Sequence, residues 1–218
     1  MSLFEKLDNR LPGISNGILL ALNFFFIFIL PFFPSFIHRL LGAALFSLIF
    51  LASVFALNTM RHLIFSIAIV AVITEWIAYF LNMPLLNVIS SLTNIIFFQI
   101  IVIKLIIQIA KSKKADAGVI LESINGYLML GLMFTTWIVL AMAADSNAFS
   151  FPGGDPNVHD YTYFTFVTMT TLGYGDVTPQ LPFARAIAML ISTAGQIYIA
   201  VIIAMLVGKY ASAAKSEN

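Results

Sequence analysis

The sequence predicts an all-α polytopic membrane protein, with six membrane-spanning helices and one further helix too short to cross. Three observations carry that prediction. Of the 218 residues, 61% are hydrophobic and only 10% are charged, with a mean hydropathy of +0.99. A soluble domain is normally about 25% charged, so lipid must cover this much apolar surface. The apolar residues fall into six runs, each near the roughly 20 residues needed to cross the hydrocarbon. Prolines, asparagines and charges separate those runs. A net charge of +1 gives no case for nucleic-acid binding, and the absence of cysteine excludes disulfides, thiolate metal sites and thiol catalysis.

Residues Met1 to Pro12 place Leu3, Phe4, Leu7 and Leu11 at near-helical spacing. This fits either a short amphipathic interfacial segment or a frayed terminus. Glu5, Lys6, Asp8 and Arg10 precede a run too long for a leader's apolar core, without a small-residue cleavage site, so the first span is expected to be retained. That span runs from about Ile14 to Leu30, and Pro31 and Pro34 end it, since proline lacks the N–H a helix needs. His38 and Arg39 open the second span, about Leu40 to Leu57. A polar turn with Asn58, Arg61 and His62 leads to the third, about Leu63 to Leu81, which Asn82 and Pro84 stop.

The fourth span is about Leu85 to Ala110, followed by Lys111, Lys113 and Lys114, and the fifth is about Val119 to Ala143. Pro152, Gly153, Gly154 and Pro156 mark the next stretch as loop. Tyr161 to Thr170 reads as a helix of about three turns, too short to span, with Asp160 as its N-cap. Pro179 and Pro182 precede the sixth span, about Phe183 to Tyr210.

Between the short helix and the sixth span lies Thr168-Met169-Thr170-Thr171-Leu172-Gly173-Tyr174-Gly175-Asp176. Gly173 and Gly175 accept φ > 0 without a Cβ penalty. Alternating such residues with ordinary ones turns successive carbonyls to one side, where they can replace the water shell of a cation. The Thr171 hydroxyl adds one more oxygen at the inner end.

This run resembles the selectivity filter of potassium channels, whose usual form is T-V-G-Y-G followed by Asp. The resemblance to the tetrameric potassium channel family covers about 90 residues, from the fifth span to the sixth. It implies K+ as the permeant ion, with no organic cofactor. The ion-binding residues would be Thr171, Leu172, Gly173, Tyr174 and Gly175, the K+ ligands being the carbonyls of Thr171, Leu172, Gly173 and Tyr174. Thr168, Thr170, Asp176, Tyr163, Phe164 and Val167 would support the filter. The short helix takes the place of the re-entrant pore helix, whose C-terminal dipole favours a cation in the cavity. Leu172 stands where the family usually has Val, which removes β-branching behind the filter. Tyr163 and Phe164 align with a Trp pair. Val167 stands where some members carry a buried Glu, so a Glu pairing with Asp176 is unavailable. Gly195 falls at the family's gating hinge, a position that small-residue helix packing also explains.

One copy of the pore unit implies a symmetric homotetramer in the lipid bilayer. The expected organisation is a cytoplasmic N-terminal segment (1–13), a four-helix transmembrane domain lacking the sensor charge pattern (14–114), a pore domain (115–210) and a short cytoplasmic tail (211–218). No soluble ligand domain and no enzyme activity are expected. With the N-terminus inside, eight Lys and Arg fall on the cytoplasmic side (Lys6, Arg10, Arg61, Lys111, Lys113, Lys114, Lys209, Lys215) against Arg39 and Arg185 outside. Both termini are then cytoplasmic, and a prokaryotic plasma membrane is the expected location. Asp145, Asp155 and Asp160 share the outer loops with Asp176, an acidic face that would enrich cations near the mouth, while Asp145 and Asp155 read as ordinary solvated charge.

Intramembrane charge is sparse. Lys104 is the sole basic residue within the fourth span. A unit charge moved through 100 mV supplies about 2.3 kcal/mol, and steep sensing uses three or four per subunit, so at most weak voltage dependence is expected. Glu75 reads as the one acid well inside a span, a functional candidate or a neutral glutamic acid near the outer interface. His38, His62 and His159 show no metal spacing. Two rival functions are a weakly selective cation channel and a non-conducting membrane partner subunit. Cation channels of the first kind tend to replace the Tyr or the second Gly of the filter, and Tyr174 and Gly175 are both intact.

Overall fold

The computed structural model describes residues 15–57, 61–81, 84–112, 116–154 and 156–216, with backbone alone at 35–39, 61–63, 75, 78–79, 84–87 and 210–216. The expected N-terminal interfacial segment therefore lies outside the described residues, as do Asp155, Lys113 and Lys114 and the side chains of His38, Arg39, Arg61, His62 and Glu75.

The described chain is mostly helical. In order it forms α1 (Ser15–Phe32), α2 (Ser35–Phe55), α3 (Arg61–Phe80), α4 (Pro84–Lys111), α5 (Ala117–Ala144), β1 (Phe149–Ser150), α6 (Val158–Met169), β2 (Thr178–Pro179) and α7 (Pro182–Ser216). Among the described residues, four helices contain stretches long and apolar enough to cross a membrane: Ser15–Phe32, Val88–Lys111, Ala117–Ala144 and Pro182–Lys209. The described apolar runs of α2 and α3 are shorter, Leu40–Phe55 and Ile64–Thr74. The chain divides into two compact units, Met1–Gly126 and Tyr127–Asn218. The division falls inside α5.

In the first unit, α1 outlasts the stop expected at Leu30. The helix widens to a π turn over Phe25–Ile29 and closes in a 3-10 turn over Leu30–Phe32. Pro31 sits at the start of that last turn, where a missing N–H is tolerated. Phe33 and Pro34 then become extended, with ψ of 156° and 148°. The core is aromatic and aliphatic. Phe46 and Phe50 of α2 meet Phe98 and Phe97 of α4 with ring centroids 5.2 and 5.4 Å apart. Phe98, Ile101, Val102, Leu105 and Ile109 are buried, a spacing that forms one helix face.

Polar side chains are buried in this unit as well. Asn16, Asn23 and Asn125 are each at most 1% exposed, and such groups must find partners within the protein. Asn23 Nδ2 donates to Asn125 Oδ1 at 3.4 Å, and Asn125 Nδ2 donates to the Asn16 carbonyl at 2.8 Å. Nearby, Asn16 Nδ2 donates to the Glu122 carboxyl at 3.1 Å. Glu122, half-buried near the start of α5, is a further acid within a long apolar helix.

In the second unit, α7 buries a narrow seam. Ala184, Ile191, Tyr198 and Ile202 are buried, while Met189, Leu190, Ile197, Val201, Ile203 and Val207 are exposed. The buried positions repeat at about two turns, so one edge of the helix packs inside the unit. The strands β1 and β2, absent from the sequence reading, pair antiparallel with Phe149 opposite Pro179 and Ser150 opposite Thr178. They tie the chain before α6 to the chain after Asp176.

Candidate functional site

The site is built on α6. Its N-terminus is three residues earlier than expected, and Asp160 is not the N-cap. Asn157 takes that place: its side chain accepts the His159 N–H at 2.8 Å, and Asp160 Oδ2 accepts the Asn157 N–H at 2.7 Å. This reciprocal box satisfies orphan donors and puts a negative charge in the first turn. On α5, Gly131 leaves room for the Phe166 ring, which a Cβ would overlap. Thr135 Oγ1 donates to Thr165 Oγ1 at 3.3 Å between two buried side chains. On α7, Gly195 faces Met169, where an added Cβ would lie 2.5 Å from the Met169 carbonyl oxygen. Gln196 Nε2 donates to that same oxygen at 3.4 Å, which partners a carbonyl left open at the helix end.

The chain leaving α6 is tethered by its N–H groups. Thr171 N–H donates to the Thr168 carbonyl at 3.0 Å, while Leu172 and Gly173 N–H both donate to the Val167 carbonyl at 3.0 and 3.2 Å. No described peptide bond is cis, so each carbonyl points opposite to the N–H of its own peptide plane. The carbonyls of Thr170, Thr171 and Leu172 therefore turn away from the end of α6. The sign of φ alternates: Thr171, Gly173 and Gly175 have φ of 64°, 54° and 79°, and no other non-glycine residue described has positive φ. Alternation of handedness at every second residue brings successive carbonyls toward a common side. All residues from Thr170 to Asp176 are exposed in the single chain.

Side chains around the run divide into two groups. Tyr163 Oη donates to Asp176 Oδ2 at 2.7 Å, and Thr170 Oγ1 donates to the Phe166 carbonyl at 2.7 Å. Phe164 is buried and packs edge-on to Phe149, with centroids 5.2 Å apart. The aligned pair thus divides its work between the run and the β1 segment. Sequence reasoning missed the Tyr163–Asp176 bond. The available signal was that, of the two residues aligned with Trp, Tyr163 alone keeps a polar hydrogen to donate.

The hydrogen bond to Asp176 is the main reason the Tyr163 phenol ionises less readily than usual. The raised value means that the bond stabilises the fold below the usual tyrosine range, near pH 10, and is lost as pH rises through the folded-state value. We expect Tyr163→Phe to shorten the conducting state several-fold at neutral pH and to abolish an alkaline decline present in the native chain. Equal open times in single-channel records of both proteins would show that the bond does not hold the run.

Other candidates lie elsewhere. Lys104 is exposed on α4 of the first unit, and Glu75 has a described backbone on α3 but no described side chain. The helix α7 runs unbroken through Gly195. Among the described residues, no group of three His, Cys, Asp or Glu could hold a metal ion.

Residues 126–211 match the family model described as "Ion channel". This segment is similar to an ion channel domain. It contains most of α5, all of α6, the tethered run and α7 up to residue 211. Together with the apolar helices, it makes the chain a multi-pass membrane protein. No curated protein and no solved structure matches the chain.

Proposed function

We propose that the channel domain forms a potassium-selective pore as a homotetramer and conducts K+ passively. The observation that carries this reading is the run Thr171–Gly175, with φ alternating in sign and N–H groups bound back to α6. Carbonyls of Thr171, Leu172, Gly173 and Tyr174 would replace the ion's hydration shell, with the Thr171 hydroxyl below them. One chain supplies one wall of such a path, so four copies are needed. The exposed Leu172 and Tyr174, and the apolar face of α7 outside its buried seam, are the surfaces those copies would cover.

The helices α2 and α3, at 21 and 20 residues, are each about 30 Å long. They complete six spans with α6 as the re-entrant pore helix. Both termini are cytoplasmic in the plasma membrane, and α6 and the run face a path opening outward. Lys104 alone moves too little charge for strong voltage gating. The protein moves ions without making or breaking covalent bonds and is not an enzyme.

The test is the reversal potential of purified protein in planar bilayers, with potassium on one side and sodium on the other. Reversal near the potassium potential, with block by barium, is expected. Steady current reversing near zero would overturn potassium selectivity.

A further inference from the structure

We propose that Glu122 is a proton-binding site: at neutral pH it is a carboxylic acid that donates to Asn16 Oδ1, closing an acid–amide pair between α5 and α1. Asn16 is 1% exposed. Its Nδ2 donates to Glu122 Oε1 at 3.1 Å, whereas its Oδ1 is buried with no hydrogen-bond partner among the described residues. Buried acceptors are rarely left without a donor. An amide and a carboxylic acid present matching forks, each with one donor and one acceptor. One arm of the fork is already closed, and a turn of the carboxyl about its terminal bond, a soft torsion, brings the other oxygen round to Asn16 Oδ1. As a carboxylate that oxygen has no hydrogen to give; as an acid it does.

Two neutral amides and one anion stand around the carboxyl. From α4, Gln108 hydrogen-bonds Glu122, a bond that by itself favours the carboxylate, and it also donates through Nε2 to the Ala56 carbonyl of the α2 end at 3.0 Å. Gln108 and Asn16 are neutral. Lys104 and Lys111 of α4 are exposed. The charged neighbour among the described residues is Asp116. Its carboxylate is committed to capping α5, accepting the Val119 N–H at 2.9 Å. A second anion beside it would meet repulsion, with no cation among the described residues to offset it. The Asn125 bond to the Asn16 carbonyl fixes the α1 backbone, so the amide is held in place for the acid. Loss of the proton to solvent sets two acceptors against each other and opens that arm of the pair.

The pair and its test do not depend on ion conduction. Infrared difference spectra of the full chain in lipid, wild type minus Glu122→Gln, should show a carboxylic-acid C=O stretch at neutral pH that disappears in alkaline buffer. Glutamine keeps the fork and supplies its own N–H to Asn16 Oδ1. Glu122→Gln should therefore melt with the wild type at neutral pH, while Glu122→Ala melts lower. Absence of the acid band at neutral pH overturns the proposal, whether the side chain is a bare carboxylate or one binding a metal cation. Failure of Glu122→Gln to fold under conditions where the wild type folds also overturns it, because the variant mimics the acid.

Discussion

In the proposed potassium-selective pore, Gly173→Ala is expected to move the reversal potential from the potassium value most of the way to zero. The reason is backbone conformation rather than space, since no heavy atom lies within 4 Å of a Cβ built at Gly173 or Gly175. At Gly173 φ is 54°, and an L-residue with a Cβ pays about 1–2 kcal/mol to stay there. In the proposed homotetramer, four subunits around one path would multiply that to about 4–8 kcal/mol. Each subunit already holds Thr171 at φ 64°, a strained place for a β-branched residue that itself costs about 1–3 kcal/mol. The run escapes the added strain by returning residue 173 to negative φ. That rotation breaks the N–H bond from residue 173 to the Val167 carbonyl, now 3.2 Å, and swings the Leu172 carbonyl off the common side. A cation path then lacks one oxygen per subunit. Leu172→Ala is the control, because residue 172 has negative φ and its carbonyl stays where it is. Potassium-like reversal in Gly173→Ala would mean that the φ alternation does not create the selectivity.

What could be read from sequence follows from how local each feature is. The glycines announced their own backbone, because only they take positive φ freely. Thr171 gave no such notice, since a β-branched residue disfavours that region. It is held there by tethers to Thr168 and Val167, carbonyls that become available once α6 ends at Met169. The cap was legible in principle: Asn157 and Asp160 are three residues apart, as a capping box requires, yet Asp160 alone drew attention. The polar residues of the first unit show the other limit. Asn16 and Asn23 are two turns apart on α1, and Glu122 and Asn125 are one turn apart on α5, so each pair marks a helix face. Nothing local says that those faces meet across about a hundred residues, and the sequence reading does not single out Glu122, which lies close to a helix start.

Gly195→Ala is expected to lower the melting temperature of the channel domain and to reduce the current per purified protein. Two effects oppose each other. Alanine is about 1 kcal/mol better than glycine in a helix interior, and α7 is continuous through this position. Against that, the new Cβ would meet the Met169 carbonyl oxygen and Met169 Cγ, each at 2.5 Å. Overpacking of a filled site costs about 1–3 kcal/mol, and the upper part of that range applies when the obstacle cannot yield. A side chain can rotate, but the Met169 carbonyl belongs to the last turn of α6. Moving it disturbs the Gln196 bond and the turn that carries the Thr168 and Val167 tethers. The clash therefore outweighs the helix propensity. The hinge reading predicts the opposite pattern: an unchanged or higher melting temperature, with open probability alone reduced. Met169→Ala added to Gly195→Ala separates the two further, since it removes the Cγ contact and leaves the carbonyl. Packing against the backbone predicts no rescue of melting. A double variant that melts with the wild type would place the conflict in the Met169 side chain instead.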